Sequence, residues 1–89
     1  MNPAYLEVTF RHGRPLAAYL YLPRRGREKS YRTTRAESGL VIDFNREGKP
    51  IGIEITAPTK VSLSSLNNTL RSLGLPLVRR ADLAPLLAA

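Results

Sequence analysis

The fold is decided by the segment 39–56, which reads GLVIDFNREGKPIGIEIT. Apolar and polar residues alternate on both sides of a polar centre that contains glycine, a pattern typical of a β-hairpin with one buried face. The apolar positions of the two strands are Leu40, Ile42, Phe44, Ile51, Ile53 and Ile55. This pattern predicts the centre of a fold and indicates no particular reaction.

The loop of this hairpin has two candidate forms. We expect an even number of loop residues, because a one-residue slip would set the apolar side chains of one strand against the polar side chains of the other. A two-residue turn at Glu47 and Gly48 would pair Ile42 with Ile53, but it requires a positive φ at Glu47. A four-residue loop over 45–48 places asparagine and glycine where a type I turn prefers them, so we favour it.

Length and composition restrict the class of protein. The 89 residues predict one small domain, and a chain of this size buries only about 60–65% of its unfolded surface, so homodimerisation would add stability. There is no cysteine and one histidine, so we expect neither a metal nor another cofactor. The longest apolar run, 16–22, is far shorter than the roughly 20 residues of a membrane-spanning helix. With no secretion signal recognised at the N-terminus, we expect a cytoplasmic protein that does not associate with a membrane.

Positive charge is concentrated in one segment. The chain carries a net charge of +7, and its isoelectric point is near 10.6. The segment 23–35 contains six basic residues against one acidic residue, so it holds +5 of the total. Such a charge favours polyanions or acidic proteins as partners.

The remaining pattern predicts further strands before the central hairpin. Alternation over 5–11 indicates a first strand, and the turn residues 12–15 lead into a second strand over 16–22. This second strand is apolar on both faces, which indicates that it is central in the sheet or covered on both faces. The β-propensity of 31–34 predicts a short third strand at an edge, where its arginines would oppose aggregation.

The period changes after the sheet. Leucines recur at helical spacing over 63–73, with Ser62 as N-cap and Gly74 as the stop. We predict an α+β fold: a four- or five-stranded antiparallel meander with one amphipathic helix on one face. Residues 1–76 would form the domain. Residues 77–89 would form a tail or short helix, in which Asp82 is a candidate cap, that docks on the domain or on a partner chain.

Two segments carry a family resemblance. The run Gly52-Ile53-Glu54-Ile55 within the hairpin, together with Ala18-Tyr19-Leu20-Tyr21-Leu22, resembles the small prokaryotic family known as domain of unknown function 2283. The resemblance covers roughly 6–56 and implies a fold and an interaction role without an established activity. Relatives usually carry acidic residues around the first turn, where this chain has Arg11, His12 and Arg14, so a role that depends on those acids is not implied.

Candidate catalytic residues have plain structural explanations. Asp43 and Glu54 fall on the same second face of the hairpin, so a paired-carboxylate site is conceivable, although acids on a solvent face are ordinary. His12 lies in a turn between arginines without an orienting acid. The serines at 62, 64 and 65 lack the surroundings of a nucleophile and suit helix capping. We therefore expect no enzymatic activity.

Tyrosines and arginines support two interpretations. Tyr5, Tyr19 and Tyr21 lie opposite the leucine face, where they could pack across strands or form a protein interface. Alternatively, they could stack on bases while nearby cations bind phosphates. The RNA- or DNA-binding residues would then be Tyr19, Tyr21, Arg24, Arg25, Arg27, Lys29 and Arg32. We predict a self-associating protein-interaction module whose partner is a second copy or another protein, with nucleic-acid binding as the alternative.

Overall fold

The computed structural model describes residues 4–23, 29–37 and 39–87. These residues form five strands: β1 (Tyr5–Arg11), β2 (Arg14–Tyr21), β3 (Arg32–Arg35), β4 (Leu40–Phe44) and β5 (Pro50–Ile55). Helix α1 (Leu63–Ser72) follows the sheet, and a short helix α2 (Ala84–Leu87) follows α1. Turns of 3₁₀ helix occupy Pro58–Lys60 and Arg80–Leu83. The predicted α+β class is confirmed.

All strand pairs are antiparallel, and the order across the sheet is β1-β2-β5-β4-β3. The predicted central position of β2 is confirmed, since it lies between β1 and β5. The predicted edge position of β3 is also confirmed. The order departs from a simple meander because β2 pairs with β5, so that β3 lies at the far edge, beside β4.

The loop between β4 and β5 contains the expected turn but has fewer residues than the favoured four-residue form. Gly48 donates its N–H to the Asn45 carbonyl at 3.0 Å, which places the turn at the four-residue candidate position. Asn45 donates its own N–H to the Lys49 carbonyl at 2.9 Å, which leaves the three residues 46–48 in the loop. Gly48 has a φ of 85°, which a glycine adopts without strain. The expectation of an even loop is therefore wrong.

A β-bulge restores the facing of the apolar side chains. Ile42 lies opposite Ile53, as the two-residue candidate predicted, whereas Phe44 lies opposite Pro50. The register shift between these pairs leaves Ile51 as the extra residue on β5. A bulge inserts one residue into one strand, so it compensates for the odd loop. The parity argument failed because it assumed an unbroken ladder.

The core lies between the sheet and the segments that follow it. Ile42 is 6% exposed, and Ile53 and Leu66 are each 0% exposed, all within one apolar cluster. The predicted packing of the leucine-striped helix on the isoleucine face is thus observed. Leu83 and Leu86 belong to the same cluster, so the segment after α1 packs on the domain.

Helix α1 ends within one residue of the predicted bounds because its caps are local. The Ser62 hydroxyl oxygen accepts a hydrogen bond from the Ser65 N–H at 3.0 Å, and the Ser65 hydroxyl oxygen accepts one from the Ser62 N–H at 3.1 Å. At the other end of the helix, Gly74 has a φ of 71°, and the Leu75 N–H donates a hydrogen bond to the Leu70 carbonyl at 3.0 Å. This Schellman motif ends the helix.

The tip of the β1–β2 hairpin differs from the prediction. A register shift near Phe10 leaves Leu16 without a cross-strand partner on β1. The pairing of β2 with β5 begins at Ala18, so the residues before it extend past β5. Leu16 is consequently 54% exposed and Phe10 51% exposed. Strict alternation along β2 would have put Leu16 on the same face as the buried Ala18 and Leu20, and the register shift prevents this.

Candidate functional site

Tyrosines and carboxylates share the sheet face opposite the core. The strand register places them in two rows that cross the sheet. One row contains Tyr5, Tyr21, Gly52, Asp43 and Thr33. The adjacent row contains Glu7, Tyr19, Glu54, Val41 and Arg35. Side chains that are directly or diagonally opposite in neighbouring strands can interact, so these rows define one continuous surface.

Tyr19 leans out of its own row across Gly52. Its hydroxyl donates a hydrogen bond to Asp43 Oδ2 at 2.8 Å. A Cβ atom on Gly52 would overlap the hydroxyl and ring of Tyr19, so only glycine leaves room for this ring. Glycine inside a strand often marks such a close approach. The ring therefore bridges β2 and β4 directly over the backbone of β5.

Asp43 is the polar centre of this arrangement. It is only 5% exposed. In addition to the Tyr19 bond, its Oδ1 accepts a hydrogen bond from the Ser30 hydroxyl at 3.3 Å. A buried carboxylate requires such donors, because an unpaired one would be strongly destabilising. We refer to Tyr19, Ser30, Asp43 and Gly52 as the latch, since they connect β2, β4 and the segment before β3 across β5.

Glu54 adjoins the latch, and its carboxyl has a raised pKa. A hydrogen bond with Asp43 is the largest cause that raises the pKa of the Glu54 carboxyl, followed by burial and by the negative charge of Asp43. The neutral form of Glu54 is favoured because it can donate a proton to the Asp43 carboxylate. The predicted placement of these two acids on one face is observed, and the strand register makes them diagonal neighbours on β4 and β5.

The tyrosine rings form a cluster that reaches the edge of the sheet. The rings of Tyr5 and Tyr21 stack with centroids 4.5 Å apart, and Tyr19 meets Tyr21 edge-on at 4.6 Å. Tyr21 also donates a hydrogen bond to Glu7 Oε1 at 3.3 Å. Such pairs contribute about 0.5–1.5 kcal/mol beyond their burial. The cluster thus links the latch to β1.

The other candidate catalytic residues do not join this site. His12 lies exposed in the β1–β2 turn with a φ of 53°, at the opposite end of β1 from Tyr5. Ser62 and Ser65 cap α1, and Ser64 is exposed on its first turn. Within the described residues, no group of three or more histidine, cysteine or acidic side chains is arranged to hold a metal ion.

The predicted nucleic-acid residues are divided. Arg24, Arg25 and Arg27 lie outside the described residues. Lys29 is exposed before β3. The Arg32 guanidinium lies 4.5 Å from the centre of the Phe44 ring, and Phe44 packs against the core. Because Arg32 is opposite Phe44 in the register, it belongs to the other face of the sheet from the tyrosines.

The tyrosines also have acidic surroundings. Both hydroxyls of the predicted pair, Tyr19 and Tyr21, donate hydrogen bonds to carboxylates, those of Asp43 and Glu7. Negative charge beside the rings repels phosphate, so this face is less suited to nucleic acid than its aromatic content indicated.

Two cavities border the cluster. A cavity of about 230 Å³ lies beside Tyr19 and is lined by Glu7, Thr9 and Glu54, among others, but not by Asp43. A cleft of about 550 Å³ lies between the ends of β1 and β2 and the segment after α1. Its lining is mainly leucine and proline. The carboxylate of Asp82 in this cleft accepts a hydrogen bond from the Arg79 N–H at 2.8 Å.

Sequence reasoning missed the latch itself. Tyr19 and Asp43 are 24 positions apart, and their contact depends on β5 lying between their strands. The sequence contained one signal of this contact, Gly52, which interrupts a run of isoleucines. Glycine weakens a strand interior, so its presence there often marks the close approach of another group.

Comparison with known proteins finds a match to one protein family. Residues 17–57 match the family described as "Protein of unknown function (DUF2283)". All four latch residues and Glu54 fall within this segment. No curated protein and no solved structure matches the chain. In the described residues, no helix has the length and apolar character needed to cross a membrane.

Proposed function

Because residues 17–57 match a family described only as proteins of unknown function, we propose a function from the chain's own geometry. The protein is a small, non-enzymatic protein-interaction module that associates with itself. The resemblance noted in the sequence is confirmed by the family match, but that match specifies no activity.

The observation that supports an interaction role is exposed apolar surface on the β1–β2 hairpin. Tyr5, Phe10 and Leu16 are 54%, 51% and 54% exposed, and all three lie on the β1–β2 hairpin. Apolar residues exposed singly are ordinary, whereas contiguous apolar surface marks an interaction site. Phe10 and Leu16 both lie near the turn of the hairpin, and Tyr5 lies at the other end of β1, so the support comes from the hairpin as a whole. A chain of 89 residues also gains more than a large domain does from burying such surface against a partner.

The carboxyl pair supports a structural rather than a catalytic role. A general acid or base must reach a substrate with an unoccupied atom. Both oxygens of Asp43 accept hydrogen bonds from the protein, and its side chain is buried. Glu54 in turn interacts with Asp43. The pair is therefore occupied in holding strands together.

Nucleic-acid binding is supported by the charge of the segment 23–35. That segment carries net charge +5, and Lys29 within it is exposed. The tyrosines do not extend this charge, because carboxylates hold their hydroxyls. We therefore place self-association first, and the two functions respond to salt in opposite directions.

Light scattering coupled to size-exclusion chromatography tests the proposal. We expect a molar mass of twice 9.9 kDa at micromolar concentration. Each protomer carries +7, so salt should strengthen the dimer by screening repulsion, the Debye length being about 10 Å at 0.1 M. A mass of 9.9 kDa at every concentration and salt level tested would refute self-association.

A further inference from the structure

We infer that two copies of this chain pair along their β1 strands, antiparallel to each other, about a two-fold axis at Val8. This inference depends on the proposed self-association and specifies its surface and register. The result is one continuous sheet across both copies, with α1 of each copy on the same side.

The two edges of the sheet differ in their protection. β3 has four residues, all exposed, and begins and ends with Arg32 and Arg35. Short length and charge are the means by which edge strands avoid pairing with other chains. β1 has seven residues without proline or lysine, and Glu7 is the only charge before its final residue, Arg11. No described strand pairs with its outer side.

Side-chain direction restricts the register. Leu6, Val8 and Phe10 alternate with residues of the tyrosine face, and residues directly opposite in a sheet point to the same face. If both copies keep their cores on one side, the two-fold axis must pass through a residue of β1 rather than between two residues. Otherwise each apolar side chain would meet a polar one.

Among the permitted registers, the axis at Val8 pairs the whole strand. An axis at Glu7 would set this carboxylate opposite its own copy, which is destabilising. An axis at Thr9 would place Tyr5 and Leu6 opposite the turn of the second copy. The axis at Val8 leaves none of the seven residues of β1 without a partner.

The pairs formed in this register are complementary. Val8 meets the second copy's Val8, and Leu6 meets the second copy's Phe10. These contacts cover the half-exposed ring of Phe10 and the partly buried Leu6 and Val8. On the other face, Tyr5 meets the second copy's Arg11, whose guanidinium can lie against the ring. Because the axis duplicates every pair, each complementary contact occurs twice.

Cysteine cross-linking tests this register directly, since the chain contains no cysteine. Across the axis, the Cα atoms of the two Val8 residues would lie within the roughly 4.4–6.8 Å that a disulfide spans. We expect the V8C variant to form a disulfide-linked dimer under mild oxidation, seen on a non-reducing gel. The control variants L6C and, on the β3 edge, T34C should stay unlinked.

A mixture of variants provides a second test if V8C folds poorly. L6C and F10C should each fail to link with themselves, because equivalent atoms would be about four residues, or roughly 13 Å, apart along the strands. Mixed, they should link to each other. Circular dichroism of each variant confirms folding.

The outcomes separate the two proposals. A light-scattering dimer in which T34C links and V8C and the L6C–F10C mixture do not would overturn the β1 pairing and leave self-association standing. A dimer in which none of these variants links also overturns the β1 pairing. A monomer at every concentration would overturn both.

Discussion

The substitution Gly52→Ala tests whether the latch organises the sheet. Alanine normally suits a strand interior better than glycine does, by roughly 0.5–1 kcal/mol. At position 52, however, the added Cβ atom would overlap the ring and hydroxyl of Tyr19. The ring must then swing away, because the backbone of β5 is held between β2 and β4. We therefore expect the substitution to be destabilising, against the intrinsic preference.

The magnitude follows from the contacts that are lost. Tyr19 would give up its 2.8 Å hydrogen bond to Asp43, and a hydrogen bond to a charged group contributes about 1.5–3 kcal/mol. With the loss of ring packing on Gly52, we expect an unfolding free energy lower by about 2–4 kcal/mol. For a domain of this size each kcal/mol corresponds to about 4–8 °C, so the melting temperature should fall by roughly 8–32 °C.

A double-mutant cycle with Tyr19→Ala isolates this cause. Urea unfolding can be followed by tyrosine emission and circular dichroism, since the chain has no tryptophan. In the Tyr19→Ala background no ring opposes the new Cβ atom, so Gly52→Ala should become neutral or stabilising. The coupling energy between the two positions should then be about 2 kcal/mol or more. Equal destabilisation in both backgrounds would refute the explanation.

Three further predictions concern charge, the central turn and nucleic acid. The pKa of the Glu54 carboxyl is raised above its ordinary 4.5 in the folded state. The folded state therefore binds this proton more tightly than the unfolded state does, and the protein loses stability as the pH rises from 4.5 through the raised pKa. Glu54→Gln should therefore raise the melting temperature at neutral pH, with an advantage that disappears toward pH 4.5; an advantage independent of pH would contradict this, and Glu47→Gln is the control. Asn45→Ala should cost about 2–3 kcal/mol in urea unfolding, because its Oδ1 accepts hydrogen bonds from the backbone N–H groups of Glu47 and Lys49 at 3.0 and 2.9 Å; a loss no larger than that of Glu47→Ala would argue against this role. If the protein binds nucleic acid, several phosphate contacts should cut affinity about tenfold or more over a modest salt increase, and mobility-shift assays should show loss of binding on alanine substitution of the arginines at 24, 25 and 27.

Local signals were sufficient for most elements of the fold. The alternation over 39–56 predicted β4 and β5, and the Ser62 and Gly74 caps predicted the ends of α1. These features depend on residues within a few positions of each other. The strand order was less accessible, because the pairing of β2 with β5 joins Leu20 to Ile53 and depends on the complete sheet.

Both errors in the strands have one physical origin. The facing of side chains was inferred from strict alternation, which a bulge interrupts. On β5 the bulge leaves Ile51 as the extra residue, and on β2 it leaves Leu16 without a partner. Proline adjoins both positions, at Pro50 and Pro15, and proline cannot donate a ladder hydrogen bond. A proline at the start of a strand is therefore a reason to expect an irregular register beside it.

The contacts of the latch could not be predicted from the alternation of apolar and polar residues. Asp43 and Glu54 were placed on the correct face, but their neighbours across the strands were unknown. Gly52 offered a local sign of a close approach, while the identity of the approaching group, Tyr19, depends on which strand lies beside β5. The contact of Ser30 with Asp43 could not be predicted either, because Ser30 lies in a segment outside the strands and its neighbours depend on the complete fold.

The latch and the proposed association surface occupy different parts of the chain. Tyr19, Asp43 and Gly52 fall within the segment 17–57 that matches the family, whereas β1 precedes that segment. The two are connected by the ring of Tyr5 on β1, which stacks on Tyr21 and through it contacts Tyr19. If the latch holds β2 in place, it also fixes the position of the β1 edge. The matched segment would then supply a rigid support for β1, the strand that we propose pairs with a second copy.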